Sequence, residues 1–358
     1  MRICRALASS VMLAVAVRCS SAHAQTTQPV ISAPQVANDA VLDARIENGL
    51  EFLARQQNAE GFFPSTGPRV ALTGLSVMAF LAAGHAPDVG PHGFTVRRAV
   101  DWLVQQLPPD GYIGAVDGSR MYGQGIVTLA LAEVYGVETD AARRALIRDA
   151  LSRALHVVIE AQRVNKDPVH AGGWRYEINS PDSDLSLSGW NALVLRACRD
   201  LGLDVPDEAV GGAATYVLRC FRADQAGFSY QPGMDIAPGM TGVGVLSLQL
   251  LSPRGNAEPT TRPESQAAAM TLAKTPINEA TRFSYYSHYY VTQASFQIGG
   301  QTWDAVWKNA KEQLSATQMP DGGWPTSETA EEPDRVYSTA MSLLTLTVRH
   351  QLLPIYQR

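Results

Sequence analysis

Apolar residues in the first part of the chain recur at helical spacing. Ile46, Leu50 and Leu53 lie three or four positions apart, which places them on one face of a helix. After a turn that contains Gly61, residues 71–83 are small and apolar on every face. A helix that is apolar all round is buried all round. The pattern therefore predicts a repeating unit made of an amphipathic outer helix, a glycine-containing turn and a buried inner helix.

The same unit recurs along the rest of the chain. The outer and inner helices of the later units are predicted at 97–106 and 125–135, 145–162 and 185–198, 209–221 and 239–250, 264–274 and 285–297, and 303–317 and 337–348. The fifth of these six units is degenerate, and it fills a wide interval between turn glycines. Paired helices at a regular spacing indicate a repeat protein, and six pairs can close into a ring. We therefore predict an all-α fold, an α/α toroid, in a single domain at 41–358.

One turn carries a recognisable motif. The segment Gln318-Met319-Pro320-Asp321-Gly322-Gly323-Trp324 resembles the QW motif of squalene and hopene cyclases, and residues 56–63 are a degenerate copy. The chain is thus similar to the prenyltransferase and squalene-cyclase repeat superfamily, which implies an α6–α6 toroid. That superfamily includes cyclases, protein prenyltransferases and non-enzymatic proteins. We interpret the motif itself as structural, because glutamine can bond backbone groups at a helix end and glycine permits positive φ there.

The first residues predict export. Arg2 and Arg5 precede an apolar run at 6–17, and Ala22-His23-Ala24 offers a small-residue cleavage site, which is typical of a secretory signal at 1–24. A polar linker follows at 25–40. We expect a secreted or periplasmic protein without a membrane span. The net charge is −5, and the acids and bases are interspersed, which argues against a nucleic-acid partner.

Arginines precede five of the six predicted inner helices, and they are Arg69, Arg120, Arg175, Arg282 and Arg335. All inner helices should begin at the same end of the barrel, where their free N–H groups create a positive potential. A ring of guanidinium groups at this end would favour an anionic ligand. The alternative is that each arginine pairs with a nearby acid, such as Asp182, Glu332 or Asp334.

An acidic pair precedes the third inner helix. Asp182-Ser183-Asp184 resembles part of the DxDD motif of class II terpene cyclases, in which the middle aspartate protonates an alkene or epoxide. The resemblance implies that Asp184 is that acid, but Leu185 replaces the last aspartate. The alternative is that these residues cap the helix that follows.

Tyrosines are dense at the start of the fifth inner helix. Tyr286, Tyr289 and Tyr290 share one helical face and could stabilise a cation through their rings. His288 or Tyr286 could also act as a general acid or base. The alternative is that these rings simply pack against neighbouring helices.

The cysteines and histidines do not form a zinc motif. Protein prenyltransferases bind zinc through Asp, Cys and His, whereas here no cysteine lies near Asp182 and no HxxxH or CxxC pair occurs. We therefore expect no metal and no cofactor. Cys198 and Cys220 should lie at opposite ends of antiparallel helices, so we predict two free, buried thiols.

Three functions remain open at this point. The first is a terpene-cyclase-like enzyme with Asp184 as its acid and a tyrosine-lined cavity. The second is a carbohydrate-active toroid that acts on acidic glycans, in which arginine neutralises the sugar acid. The third is a non-catalytic binding or scaffold protein. An anionic or apolar small molecule or a glycan is the expected partner.

Overall fold

A computed structural model describes residues 39–64, 67–252, 262–327 and 334–357 of the 358-residue chain. The predicted signal peptide and nearly all of the predicted linker lie outside these ranges. The helices are α1 Ala40–Gln56, α2 Arg69–Ala82, α3 Gly93–Gln106, α4 Arg120–Val137, α5 Ala141–Arg163, α6 Leu185–Asp200, α7 Asp207–Arg219, α8 Pro238–Leu251, α9 Pro263–Lys274, α10 Ser284–Ile298, α11 Gly300–Thr317 and α12 Arg335–Leu346. The short strands β1 Phe221–Arg222 and β2 Gly227–Phe228 form an antiparallel hairpin.

The helices form two concentric rings. The even-numbered helices contact one another in chain order, and α12 packs back against α2, so they close an inner ring. The odd-numbered helices lie outside, each against its neighbours in the inner ring. This architecture confirms the predicted α/α toroid. We call the end at which the inner helices begin the mouth, and the opposite end the base.

Burial follows the predicted division between outer and inner helices. In α2 every residue after Arg69 is buried, whereas α1 buries only one stripe that includes Leu42, Ile46 and Leu50. Aspartates define several helix starts, because the side chains of Asp39, Asp140, Asp184 and Asp334 accept hydrogen bonds from first-turn N–H groups.

Glutamines at the ends of three outer helices tie their repeats to the next ones around the ring. Gln318 Nε2 donates to Gly322 O of its own turn and to Arg45 O of α1, both at 2.8 Å. Gln57 and Gln162 make the equivalent pair of bonds in their repeats. Buried amide groups are stable only when they are bonded in this way. These contacts support the structural interpretation of the QW-like motif.

Arginines of the outer helices clamp the same turns from the neighbouring repeat. The guanidinium groups donate to turn carbonyls in four junctions, namely Arg98 to Asn58, Arg153 to Pro108, Arg219 to Ala171 and Arg55 to Asp321. The last of these joins the first repeat to the sixth, so the ring closes with the contact used inside it.

The C-terminal segment fills the base of the barrel. Ile355 N–H donates to Glu133 Oε2 of α4 at 3.3 Å, and the hydroxyl groups of Tyr356 and Tyr289 lie 2.7 Å apart. Tyr289 stacks in turn on Trp190, whose ring centroid is 6.0 Å away. Aromatic side chains from α6, α10 and the C-terminal segment therefore occupy the barrel axis.

The predicted helix boundaries differ from the observed ones in one instructive place. The fourth outer helix was expected to reach Phe221, but α7 ends at Arg219 because Phe221 and Arg222 pair with Gly227–Phe228.

Cys198 and Cys220 are both buried and free, as predicted. No helix in the described ranges has the length and apolar character needed to cross a membrane.

Candidate functional site

A buried carboxyl group lies at the mouth. Asp184 is the N-cap of α6, and its side chain is fully buried. Oδ1 accepts hydrogen bonds from Ser186 Oγ at 2.6 Å and from the Leu187 N–H at 2.9 Å, and Oδ2 contacts Arg175 at 3.1 Å. Burial raises the pKa of the Asp184 carboxyl, although these three donors each act to lower it. Asp184 therefore caps the helix and also has the raised pKa of a potential acid.

Two hydroxyl groups extend the hydrogen bonding of this carboxyl to Tyr122, a residue that is partly exposed at the mouth. Ser186 Oγ donates to Asp184 Oδ1, and Tyr122 OH lies 2.6 Å from Ser186 Oγ. Tyr122 is only partly buried, whereas Asp184 is fully buried. Burial, together with the nearby Asp184 charge, raises the pKa of Tyr122 and keeps its hydroxyl protonated. The three groups form a continuous hydrogen-bonded chain along which a proton could move.

Arg175 joins both acids of the predicted pair. Its Nε lies 3.3 Å from Asp182 Oδ2, while its NH1 contacts Asp184 Oδ2 and also the hydroxyl of Tyr230 at 3.1 Å. The guanidinium stacks over Tyr176 and Tyr230, at 5.0 and 5.5 Å from the ring centroids. We call Arg175, Tyr122, Tyr176 and Tyr230 the tyrosine–arginine cluster.

The predicted tyrosines of α10 lie on the inner side of this cluster. Tyr286 and Tyr290 have ring centroids 4.7 Å apart, and Tyr290 meets Trp190 edge to face at 5.4 Å. Burial raises the pKa of both hydroxyls, and the neighbouring Tyr122 acts in the same direction on each. Tyr289 faces the base, where it bonds Tyr356. Tyr286 and Tyr290 therefore lie on the side of α10 near Tyr122, and Tyr289 lies near the C-terminal segment.

His288 lies between α10 and the outer helices α9 and α11. Its side chain borders a small cavity of about 30 Å³ between α9 and α11, together with Leu272, Val306 and Asn309. Burial alone lowers the pKa of His288 to about 4, so the ring is neutral. The structure therefore places His288 in the packing between the inner and outer rings.

The predicted ring of arginines sits at the inner-helix starts, but neighbouring side chains engage its members. Arg120 pairs with Glu177 at 2.9 Å, and Arg335 pairs with Asp321 at 2.7 Å. Arg69 and Arg282 stack over the rings of Phe62 and Phe283. Arg175 forms an ion pair with Asp184. Three of the five arginines, namely Arg120, Arg175 and Arg335, are thus paired with carboxylates.

Several residues of the site were missed from the sequence. Tyr122, Tyr176 and Tyr230 come from the second, third and fourth repeats, and Tyr176 OH lies 3.0 Å from Tyr230 OH. Gln231 also donates to Asp182 Oδ2 at 3.3 Å. A usable signal was present, because Tyr176 and Tyr230 each follow shortly after the aromatic residue of a turn.

Solved structures share this fold. An α-1,6-mannanase from Salegentibacter sp. superposes with a TM-score of 0.64 at 9% identity, over 87% of this chain and 99% of that one. A type II terpene cyclase from Scytonema gives a TM-score of 0.54 at 17% identity, over 88% and 100%. A polysaccharide lyase gives 0.56 at 10% identity, over 87% and 96%.

Sequence comparisons add no family to these structural ones. No protein-family model and no curated protein sequence matches the chain. Identities this low show the fold alone. The chain therefore shares an α/α toroid with enzymes that act on glycans and with an enzyme that cyclises terpenoids.

Proposed function

We propose that the protein is an enzyme in which Asp184 donates a proton to a glycan bound at the mouth. The observation that supports this most directly is the fully buried carboxyl of Asp184, whose pKa is raised. A carboxyl group whose pKa is raised by burial can act as the general acid that protonates the leaving oxygen of a glycosidic bond.

The surroundings of Asp184 suit a polar substrate. Tyr122, Tyr176 and Tyr230 present hydroxyl groups and partly exposed rings at the mouth, which can bond and stack on sugars. The barrel axis below is filled by Trp190 and Tyr289. A substrate that lies across the mouth therefore fits the geometry better than one that enters deeply.

The proton would leave through the hydroxyl chain. Protonated Asp184 would donate to Ser186, which would donate to Tyr122, and Tyr122 would donate to the substrate oxygen. Asp182, whose side chain is 37% exposed, would act as the second carboxylate, as base or nucleophile. Arg175 would hold both acids in position.

The test compares variants on a panel of neutral and acidic polysaccharides, with release of reducing ends as the measurement. Asp184→Asn should lower activity at least ~100-fold. Asp334→Asn is the matched control, because Asp334 also caps an inner helix at the mouth. We expect this control to keep activity, and both variants to keep the wild-type melting temperature.

A second candidate function is favoured by one observation. The rings of Tyr286, Tyr290 and Trp190 lie close together beside Asp184, and such π-faces stabilise carbocations. Incubation with isoprenoid substrates, followed by mass spectrometry of the products, tests cyclisation. Cyclised products without glycan cleavage would support this candidate. No turnover of either class would contradict an enzymatic role and favour a binding protein.

A further inference from the structure

A cluster of side chains that could bind a metal ion lies at the base, at the opposite end of the barrel from Asp184. Glu47 comes from α1, His85 follows the end of α2, and His92 is the N-cap of α3. One potential ligand atom from each residue lies within 4.8 Å of the other two. We propose that Glu47, His85 and His92 bind a zinc ion, which links the first repeat to the second.

The donor geometry supports this assignment. His92 Nε2 lies 3.1 Å from Glu47 Oε1, and the two imidazole rings meet edge to face with centroids 4.9 Å apart. Two imidazole nitrogens and one carboxylate oxygen are a ligand set that zinc prefers, with water at the fourth position. The Glu47 side chain is 47% exposed, so water has access to that position.

One histidine lacks the hydrogen bond that a purely structural role would demand. His85 is 9% exposed, and its Nδ1 is buried without a hydrogen-bond partner among the described residues. A buried polar atom without a partner is costly. The imidazole of His85 therefore carries a buried nitrogen that has no partner among the described residues, beside two other potential zinc ligands.

The loop between the histidines is built to hold them. Asp88 N–H donates to Gly93 O at 3.1 Å, and the Asp88 carboxylate pairs with Arg97 at 2.8 Å. Gly90 has a φ of +76°, and a Cβ at this position would lie 2.5 Å from His85 Nδ1. The backbone thus passes directly beside the imidazole. The rings also pack on Phe80, with centroids 6.5 and 5.2 Å away.

The experiment measures zinc itself on tag-free, chelator-treated protein. We expect calorimetric titration with zinc chloride to show one ion per chain, and bound zinc to raise the melting temperature. Glu47→Gln should weaken zinc binding at least ~10-fold, because it removes an anionic ligand from a partly exposed position. His92→Gln should have a similar effect.

Control variants test whether zinc binds at Glu47, His85 and His92 and not at another histidine. His156→Gln changes an exposed histidine of α5 and should leave zinc stoichiometry and affinity unchanged. Glu47→Gln should also keep the wild-type melting temperature without metal, which shows that the variant is folded. Absence of zinc binding at 100-fold excess over protein would overturn the proposal, as would equal binding by wild type and Glu47→Gln. The readouts do not depend on activity at Asp184, so failure of the glycan proposal leaves them intact.

Discussion

Asp184 and Glu133 are buried carboxyl groups at opposite ends of the inner ring, and their partners differ. Asp184 at the mouth receives hydrogen bonds from Ser186, Leu187 and Arg175. Glu133 at the base is 1% exposed and has only the 3.3 Å bond from the Ile355 N–H, while its Oε1 has no partner among the described residues. Burial raises the pKa of Glu133 to about 8. Glu133 is therefore protonated in the folded protein at neutral pH.

The raised pKa of Glu133 makes stability depend on pH. Between about pH 4.5 and 8 the folded state keeps a proton on Glu133 that the unfolded state, with the ordinary pKa of 4.5, has released. The free energy of unfolding therefore falls as the pH rises through this range. The slope is about 1.4 kcal/mol per pH unit. Glu133→Gln should remove this pH dependence, because glutamine does not titrate. The free energy of unfolding of the variant, minus that of wild type, should therefore be larger at pH 8 than at pH 5.

Urea unfolding at both pH values measures this effect. Glu160→Gln, on the exposed side of α5, serves as the control and should track wild type. An unchanged difference between wild type and Glu133→Gln from pH 5 to pH 8 would contradict the assignment.

Sequence reasoning found the residues of the mouth that stand next to helix starts. Asp184 and Arg175 were identifiable because polar residues before a buried helix have few possible roles. Tyr122 and Tyr230 were missed because their proximity depends on the curvature of the ring, which brings separate repeats together. Glu133 was missed because the segment that covers it has no periodic pattern.

At the scale of elements, the turns determine how repeats join. Gly61, Gly111, Gly172 and Gly322 all have positive φ, and a Cβ at each would lie 2.2–2.5 Å from a carbonyl oxygen of the next outer helix. The arginine clamps bond the same turns. Only glycine permits both the backbone conformation and the close approach.

Gly111→Ala should therefore destabilise the protein strongly, because a Cβ would lie 2.3 Å from Arg153 O. Gly118 offers a matched control, since its φ is +76° and nothing lies within 4 Å of its Cβ position. Gly118→Ala should cost about 1–2 kcal/mol, which is the backbone term alone. Thermal unfolding compares the two, and equal losses would show that the contact with the next helix is unimportant.

The elements themselves were largely predictable. Helical periodicity located every inner helix, including the degenerate fifth pair, which the structure places at α9 and α10. The hairpin after α7 was missed because two-residue strands carry no periodic signal, and its pairing depends on the turn at 223–226. Helix starts were predicted a few residues late wherever polar or small residues open the helix.

At the scale of the molecule, the toroid separates two kinds of chemistry. The mouth holds the Asp184 acid and the tyrosine–arginine cluster, and the base holds the C-terminal segment and the Glu47, His85 and His92 cluster. Because inner helices run from mouth to base, changes at one end act on the other only through packed helices. We therefore expect the proposed zinc site to affect stability and the proposed acid to affect turnover.

The clamp between the first and sixth repeats has a consequence for the order of folding. Arg98, Arg153 and Arg219 each bond a residue 40 to 48 positions away, whereas Arg55 and Asp321 are 266 positions apart. Joining ends so distant costs about 1.6 kcal/mol more chain entropy than joining neighbours. The contact has the same chemistry as the other three, but we expect this junction, the seam of the ring, to be the last to form and the first to open.

Hydrogen–deuterium exchange can detect that seam. Buried amides of α1 should exchange faster than those of α5, another outer helix clamped to the repeat before it, because transient opening at the seam releases α1 first. Equal protection of the two helices would mean that the ring opens at no preferred junction. Faster exchange in α1 would show that repeats alike in structure open at different times, because the order of the repeats along the chain sets where the ring opens.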